Sequence, residues 1–292
     1  RPATVSVQGK AAMLLSSPFD WGSRPPLAQS FRHLASNELV TVSINHFKSK
    51  GSCPKDAKDA NADQHDGQAC WNALRTRSAK ALSDWLQSQP TGVSTDKQII
   101  LGDLNAYRRE DPIRTLEQQN WQYLQSAQGS QYSYVFRGRT GSLDHALASP
   151  ALAKQLSSMQ HWAINADEPV LLDYNTEFKP GNTVNTYYAP DAYRSSDHDP
   201  VLVALDLPRP LDIQLQLVRV NQGNARSGSK LVQLSWSSEQ TGLTLYRDGE
   251  VVSTLTKPGI YNNQFKTQAE SVTYLLCYDA TKQCSAPLVV NF

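Results

Sequence analysis

The chain has 292 residues, 39% of them hydrophobic, with 28 Lys+Arg against 27 Asp+Glu and a formal charge of +1. That length supports one full core and a smaller second one, and the absence of any run of 18 apolar residues excludes a membrane-spanning helix. Near-neutrality excludes capture of a polyanion by a global basic field, so such a partner would be drawn by a local groove or by metal ions.

In chain order, the opening Arg1-Pro2 in place of a methionine reads as a processed or cut product. "LVTVSINHF" alternates β-branched and polar residues over Val40 to Ile44 and predicts a half-buried strand that delivers His46 at its end. A polar loop follows. "WNALRTRSAKALSDWL" spaces Trp71, Leu74, Ala81, Leu82 and Trp85 by three and four, which predicts an amphipathic helix with those residues inward and Arg75 and Arg77 as exposed cations. "KQIILGDLNA" predicts a buried strand that breaks at Gly102. Strand, helix, strand with polar residues at the strand ends is an α/β layered pattern.

In "GDLN", Asp103 and Asn105 stand two apart and project to the same side of a strand end. A carboxylate can take a proton from water while an amide holds a substrate oxygen, although the same tetrapeptide also serves as a plain turn. "GSLDHALAS" predicts a strand in which Asp144 and His145 face opposite ways; Asp144 is the candidate for a site and His145 is expected outside. "RSSDHDPVLVAL" places Asp197 and His198 in a loop ahead of an apolar strand, where neighbours can converge, with a simple Asp/Ser turn as the competing reading.

Beyond Leu207 the texture changes. "LPRPLD" reads as a linker, and short alternating strands with an "RDGE" hairpin predict a small all-β sandwich over 208–292, with Trp236 and Tyr246 in its core. The cysteines form two local pairs, Cys53 with Cys70 and Cys277 with Cys284, without the spacing of a zinc site. Disulfides in a secreted or periplasmic protein suit them, against four free thiols in a cytosolic one. The loop "DANADQHDG" resembles a calcium loop at Asp59, Asn61 and Asp63 but lacks its glycine and glutamate, so a structural Ca²⁺ there is set against a solvated acidic loop. His33, His65 and His161 read as surface or boundary residues.

His46, "GDLN", "SLDHAL" and "SDHDPVLVAL", in that order, resemble the endonuclease/exonuclease/phosphatase superfamily that includes DNase I. "RPPLAQSF", "INHFKSKGS", "GQACWNALRTRSA", "INADEPVLLDYNTEF" and "YRSSDHDPV" look like the C-terminal portion of the large secreted nucleases of Gram-negative bacteria. Over residues 1–207 the resemblance implies part of a DNase I-like four-layer α/β sandwich. It implies a catalytic set of His46, Asp103, Asn105, Asp144 and His198: Asp103 activates water, Asn105 steadies the phosphate, His198 faces it, Asp144 orients His198, and His46 donates to a phosphate oxygen. Arg24 and Lys48 would grip the nucleic-acid backbone and Asp197 would sit next to a metal, Mg²⁺ or Mn²⁺.

The superfamily's opening Asn-bearing strand and its metal-binding Glu segment find no counterpart here, since "RPATVSVQG" corresponds to a point near mid-domain. The resemblance therefore implies an N-terminal fragment of the same protein as a partner, and an isolated chain that needs it for activity. The expected function is a secreted, extracellular, metal-dependent nuclease exported through the periplasm, acting on DNA or RNA with little sequence preference. A phosphodiesterase acting on lipid or inositol phosphates and a non-enzymatic surface binding fragment are the alternatives.

Overall fold

The computed structural model describes residues 4–34, 36–125, 132–176, 179–187, 189–207, 212–222, 228–278 and 283–292. Strands β1 (Val5–Met13), β2 (Arg24–His33) and β3 (Leu39–His46) run antiparallel in succession. Helix α1 (Asn72–Gln87) then carries the chain to β4 (Gln98–Asp103), which lies parallel to β3, the one connection here that needs a crossover. Helix α2 (Asp111–Gln118), β5 (Gln122–Tyr123) and a hairpin of β6 (Tyr134–Phe136) and β7 (Arg139–Gly141) precede β8 (Asp144–Ala148), antiparallel to β4. The resulting sheet has the order β1-β2-β3-β4-β8-β5. After the short helix α3 (Pro150–Ala153), β9 (Leu156–His161) and β10 (Val201–Leu205) pair as a second, two-stranded sheet.

Three layers result. Helices α1 and α2 cover one face of the large sheet, closing Leu82, Leu86, Ile113 and Leu116 over Phe47, Ile100 and Leu147. Strands β9 and β10 cover part of the other, closing Met159, Val201 and Val203 over Val40, Ile99 and Ala146. Among the described residues α1 and α2 are the only helices of eight or more residues, so the expected four-layer arrangement is met in part: a mixed α/β structure, mostly strands.

The helix forms where the spacing predicts it, but its inward face is Leu74, Arg75, Ser78, Ala79, Leu82, Ser83 and Leu86. Ala81 and Trp85 pack at the margin of the core, and Trp71 is the N-cap, in the left-handed region at φ 67°. Arg75, expected exposed, is wholly buried and donates to the carbonyls of Lys48, Gln68 and Cys70; Arg77 is exposed. A guanidinium donates to three main-chain carbonyls, which an apolar side chain could not do.

The second sheet stops short of β1, β2 and the end of β3. Met13, Leu27 and Ile44 are cross-strand neighbours on the uncovered face, and with Val7 they are 54%, 39%, 59% and 63% exposed. Among the described residues, strand β10 pairs with β9 alone.

The chain divides into two compact units, Arg1–Pro208 and Arg209–Phe292. In the second, β11 (Gln214–Gln222), β12 (Ser229–Ser237) and β15 (Gly259–Lys266) form one sheet. Strands β13 (Leu243–Arg247), β14 (Glu250–Leu255), β16 (Ser271–Tyr278), β17 (Gln283–Cys284) and β18 (Leu288–Asn291) form the other. The expected hairpin turns at Asp248 and Gly249, both at positive φ, as a tight two-residue turn requires. Trp236 lies in the core with Leu234, Leu245 and Tyr274, whereas Tyr246 is half-buried and outside it. Both cysteine pairs are disulfides, Cys53–Cys70 and Cys277–Cys284; such bonds persist in an oxidising compartment. No described helix is long and apolar enough to cross a membrane.

Candidate active site

Strand register builds the site. Arg24 of β2 stands opposite His46 of β3, His46 beside Asp103 of β4, and Asp103 opposite Asp144 of β8. Register partners share a face, so four polar side chains form one row across four adjacent strands. The row coincides with the ends of β3 and β4, where Gly102 (φ 124°) lets β4 approach; a Cβ there would meet the Asn45 carbonyl oxygen at 2.2 Å. His198 arrives from the loop ahead of β10, and its Nδ1 donates to Asp144 Oδ2 at 2.6 Å.

Ligand atoms of Asp103, Asp144 and His198 lie within 4.8 Å of one another. Asp103 and His198 line an open cleft of about 480 Å³ with His46, Asn105 and Asp197, walled by Ser49, Lys50 and Gly51 and by Tyr107, Tyr134 and Phe136. Burial, and then the Asp144 charge, raise Asp103 to about 7. Burial works to lower His198, but the Asp144 hydrogen bond and the surrounding carboxylates override it and lift the imidazole to about 9. His46 is lowered by burial and by Arg24, whose guanidinium contacts its ring; His46 Nε2 lies 3.6 Å from Asp103 Oδ2.

Asn105 follows the strand at φ 48° and closes a turn: its N–H donates to Asp103 Oδ1 at 2.7 Å, and Nδ2 donates to Asp103 Oδ2 at 2.9 Å and to the Phe47 carbonyl at 3.0 Å. The turn reading of "GDLN" therefore holds, and the turn is what fixes the Asp103 carboxylate. Asp197 is exposed on the rim, outside the tight cluster.

Lys48 takes a different place from the one expected of it. It is buried, its Nζ donating to Ser49 and Gly51 and lying over the Trp71 ring, and it does not line the cleft. Lys50 does, tied to Glu110 Oε2 at 2.5 Å and to the Gln68 carbonyl.

His145 reverses its expectation. It is fully buried under the helices, Nε2 at 2.7 Å from the Ala106 carbonyl and Nδ1 at 3.0 Å from the Tyr123 hydroxyl, and burial lowers it to about 4. The alternation was right, but the face away from the site is covered by protein instead of water. His161 is likewise buried, against Ser142 and the Asp144 carbonyl. In the acidic loop, the Asp59 and Asp63 carboxylates accept the N–H groups of Asn61 and His65, so they close turns of their own.

Sequence reasoning missed Ser133. Its hydroxyl, fully buried, donates to Asp144 Oδ2 at 2.7 Å and accepts the N–H groups of Leu143 and Asp144, both at 3.1 Å. It missed the aromatic wall too, although "YVFRGRTG" alternates Tyr134 and Phe136 ahead of an Arg-Gly turn and so carries a hairpin signal.

No protein-family model and no curated protein matches the chain. Solved structures of endonuclease/exonuclease/phosphatase proteins resemble it at low identity and partial coverage. The human nocturnin catalytic domain with bound sulfate is 16% identical at a TM-score of 0.37, over 54% of this chain and 51% of that one. The endonuclease/exonuclease/phosphatase from Bacteroides vulgatus is 15% identical at 0.43, over 71% and 68%. The 3′-5′ exonuclease of Neisseria meningitidis is 17% identical at 0.37, over 69% and 71%. The chain spans about half the length of the nocturnin domain it matches.

Proposed function

We propose that the chain belongs to a secreted nuclease that hydrolyses phosphodiester bonds of DNA, and of RNA, with a divalent metal and little sequence preference. The observation that carries this reading is the convergence of Asp103, Asp144 and His198 at the end of a row that also holds Arg24 and His46. Two carboxylates facing each other, one of them raised to about 7, make a donor set that a divalent cation suits, because it would offset their repulsion. Asp103 and Asp144, with Asp197 from the rim, would hold Mg²⁺ or Mn²⁺ through oxygen; the ion supplies charge neutralisation on the phosphate.

The chain's own groups divide the remaining work. The Asp103 carboxylate, held by Asn105, takes a proton from the attacking water. His198, protonated by its bond to Asp144, donates to a phosphate oxygen. Arg24 and His46 fix the phosphate from the other end of the row. Asn105 reaches the phosphate by exchanging one of its present acceptors for a phosphate oxygen.

An N-terminal fragment of the same protein is the proposed partner, seated on the uncovered face around Val7, Met13, Leu27 and Ile44 and against the free edge of β10. Plasmid DNA incubated with the chain and that fragment is expected to be degraded with magnesium or manganese and spared with EDTA. Degradation undiminished by EDTA overturns the metal mechanism, and no degradation under either condition overturns the nuclease reading.

A further inference from the structure

The aromatic wall of the cleft is carried by the β6–β7 hairpin, and its construction is specific. Tyr134 and Phe136 are two apart on one strand and share a face, their rings 6.3 Å apart and 16° from parallel. The Tyr134 ring in turn lies 4.5 Å from that of His198. Two rings therefore run outward from the His198 imidazole, and the last, Phe136, is 52% exposed.

The hairpin is strapped to the site. Tyr134 forms a β-bridge with His198, the Asp199 N–H donates to the Ser133 carbonyl at 2.8 Å, and Ser133 holds Asp144. On the other strand Gly141 lies under Tyr107, and a Cβ there would stand 2.3 Å from the ring.

Its cations are uncommitted. Arg139 pairs across the hairpin with Phe136 and so shares its face, and Arg137 lies at the turn with its guanidinium 5.2 Å from the Phe136 ring. Both are exposed, and neither has a carboxylate partner among the described ion pairs. Lys48 and Lys50, by contrast, are committed to their own loop, to Glu110 and to the Gln68 carbonyl. Arg137 occupies a left-handed position at the turn, φ 50°.

We propose that this hairpin is a nucleotide subsite: Phe136 stacks an unpaired base next to the phosphate held by the catalytic row, while Arg137 and Arg139 hold the neighbouring phosphates. A base inside a duplex has both faces covered by its neighbours, so a flank that needs a free base face favours single-stranded or frayed nucleic acid. The proposal rests on the nuclease reading for the phosphate's position, but its test does not require turnover.

The test is binding of the full 292-residue chain, in EDTA, to two labelled single strands of equal length and charge: an oligothymidylate and its abasic counterpart, which has the phosphates without the bases. Fluorescence anisotropy is expected to show the oligothymidylate bound about tenfold tighter, in line with aromatic–base stacking. Phe136→Ala abolishes that ratio and Phe136→Trp keeps it. Arg139→Ala weakens both strands equally and lowers the salt slope of binding by about 0.7.

Equal affinity for the two strands, binding of neither, or a ratio that survives Phe136→Ala overturns the subsite. The nuclease reading fails by a separate result: a base preference that is present while magnesium brings no hydrolysis.

Discussion

The two faces of the six-stranded sheet are built to different ends. Under α1 and α2 the face is closed, and several polar groups of the sheet are satisfied within the protein: Ser30 with Thr41 and Thr91, and His145 with Tyr123 and Ala106. The opposite face is closed only over β4, β8 and the first half of β3, and the candidate site lies at the border of that cover, where Asp103 is buried enough beside Asp144 to be raised to about 7 and still lines a cleft. Burial strong enough to shift a carboxylate and access wide enough for a phosphate coexist only at such a border.

The largest effect should come from the row itself. His198→Ala removes the partner of Asp144 and is expected to cost about 1,000-fold in kcat of phosphodiester hydrolysis with little change in thermal midpoint, as loss of a donor to the reacting phosphate does. Asp103→Asn keeps the shape, removes the base, and should match it. Turnover within threefold of the parent for either variant would take that residue out of the chemistry.

Next in size is the contrast in packing. Leu82→Ala on the closed face opens a cavity under α1 and should cost about 2–5 kcal/mol in urea unfolding. Ile44→Ser on the open face loses only its cross-strand neighbours Leu27 and Leu101 and should stay within about 1 kcal/mol. A large loss at Ile44 would mean that its face is already covered within this chain. If Ile44→Asp leaves association with the N-terminal fragment unchanged, the fragment sits elsewhere.

How much of this was legible depended on the range of the interaction. The alternation in Val40 to Ile44 and the spacing of Asp103 and Asn105 are local, and they read out the strand, the turn and the face on which the candidates lie. What covers each face is not local. His145 was assigned the right side of its strand and the wrong environment, since covering by helices 30 to 70 residues upstream leaves no mark in "SLDHAL". Arg75 failed for the same reason: its partners are main-chain carbonyls, which are invisible in a sequence. The order of the motifs, through a family resemblance, suggested the roles proposed for these residues, which spacing alone left open.

Ser133 sharpens the comparison at intermediate size. Its hydroxyl is the one side chain that both holds the Asp144 carboxylate and pairs the main-chain N–H groups of Leu143 and Asp144. Ser133→Ala should lower kcat about 10- to 100-fold with KM nearly unchanged, because substrate contacts stay while the imidazole's partner loosens. Ser133→Thr should recover most of it. Equal losses in kcat and in unfolding free energy, unrelieved by threonine, would make the residue merely structural.

The smallest effect concerns the second unit. Its core, centred on Leu234, Leu245 and Tyr274, shares no residue with either core of the first. Separate cores are what allow separate folding. Removal of residues 209–292 is therefore expected to leave kcat on a short oligonucleotide within twofold, measured with the N-terminal fragment present and with circular dichroism to show that the remainder is folded. Near-complete loss of turnover in a folded truncation would make the β-sandwich part of the catalytic apparatus, and the asymmetry of the six-stranded sheet would no longer suffice to explain where the chemistry sits.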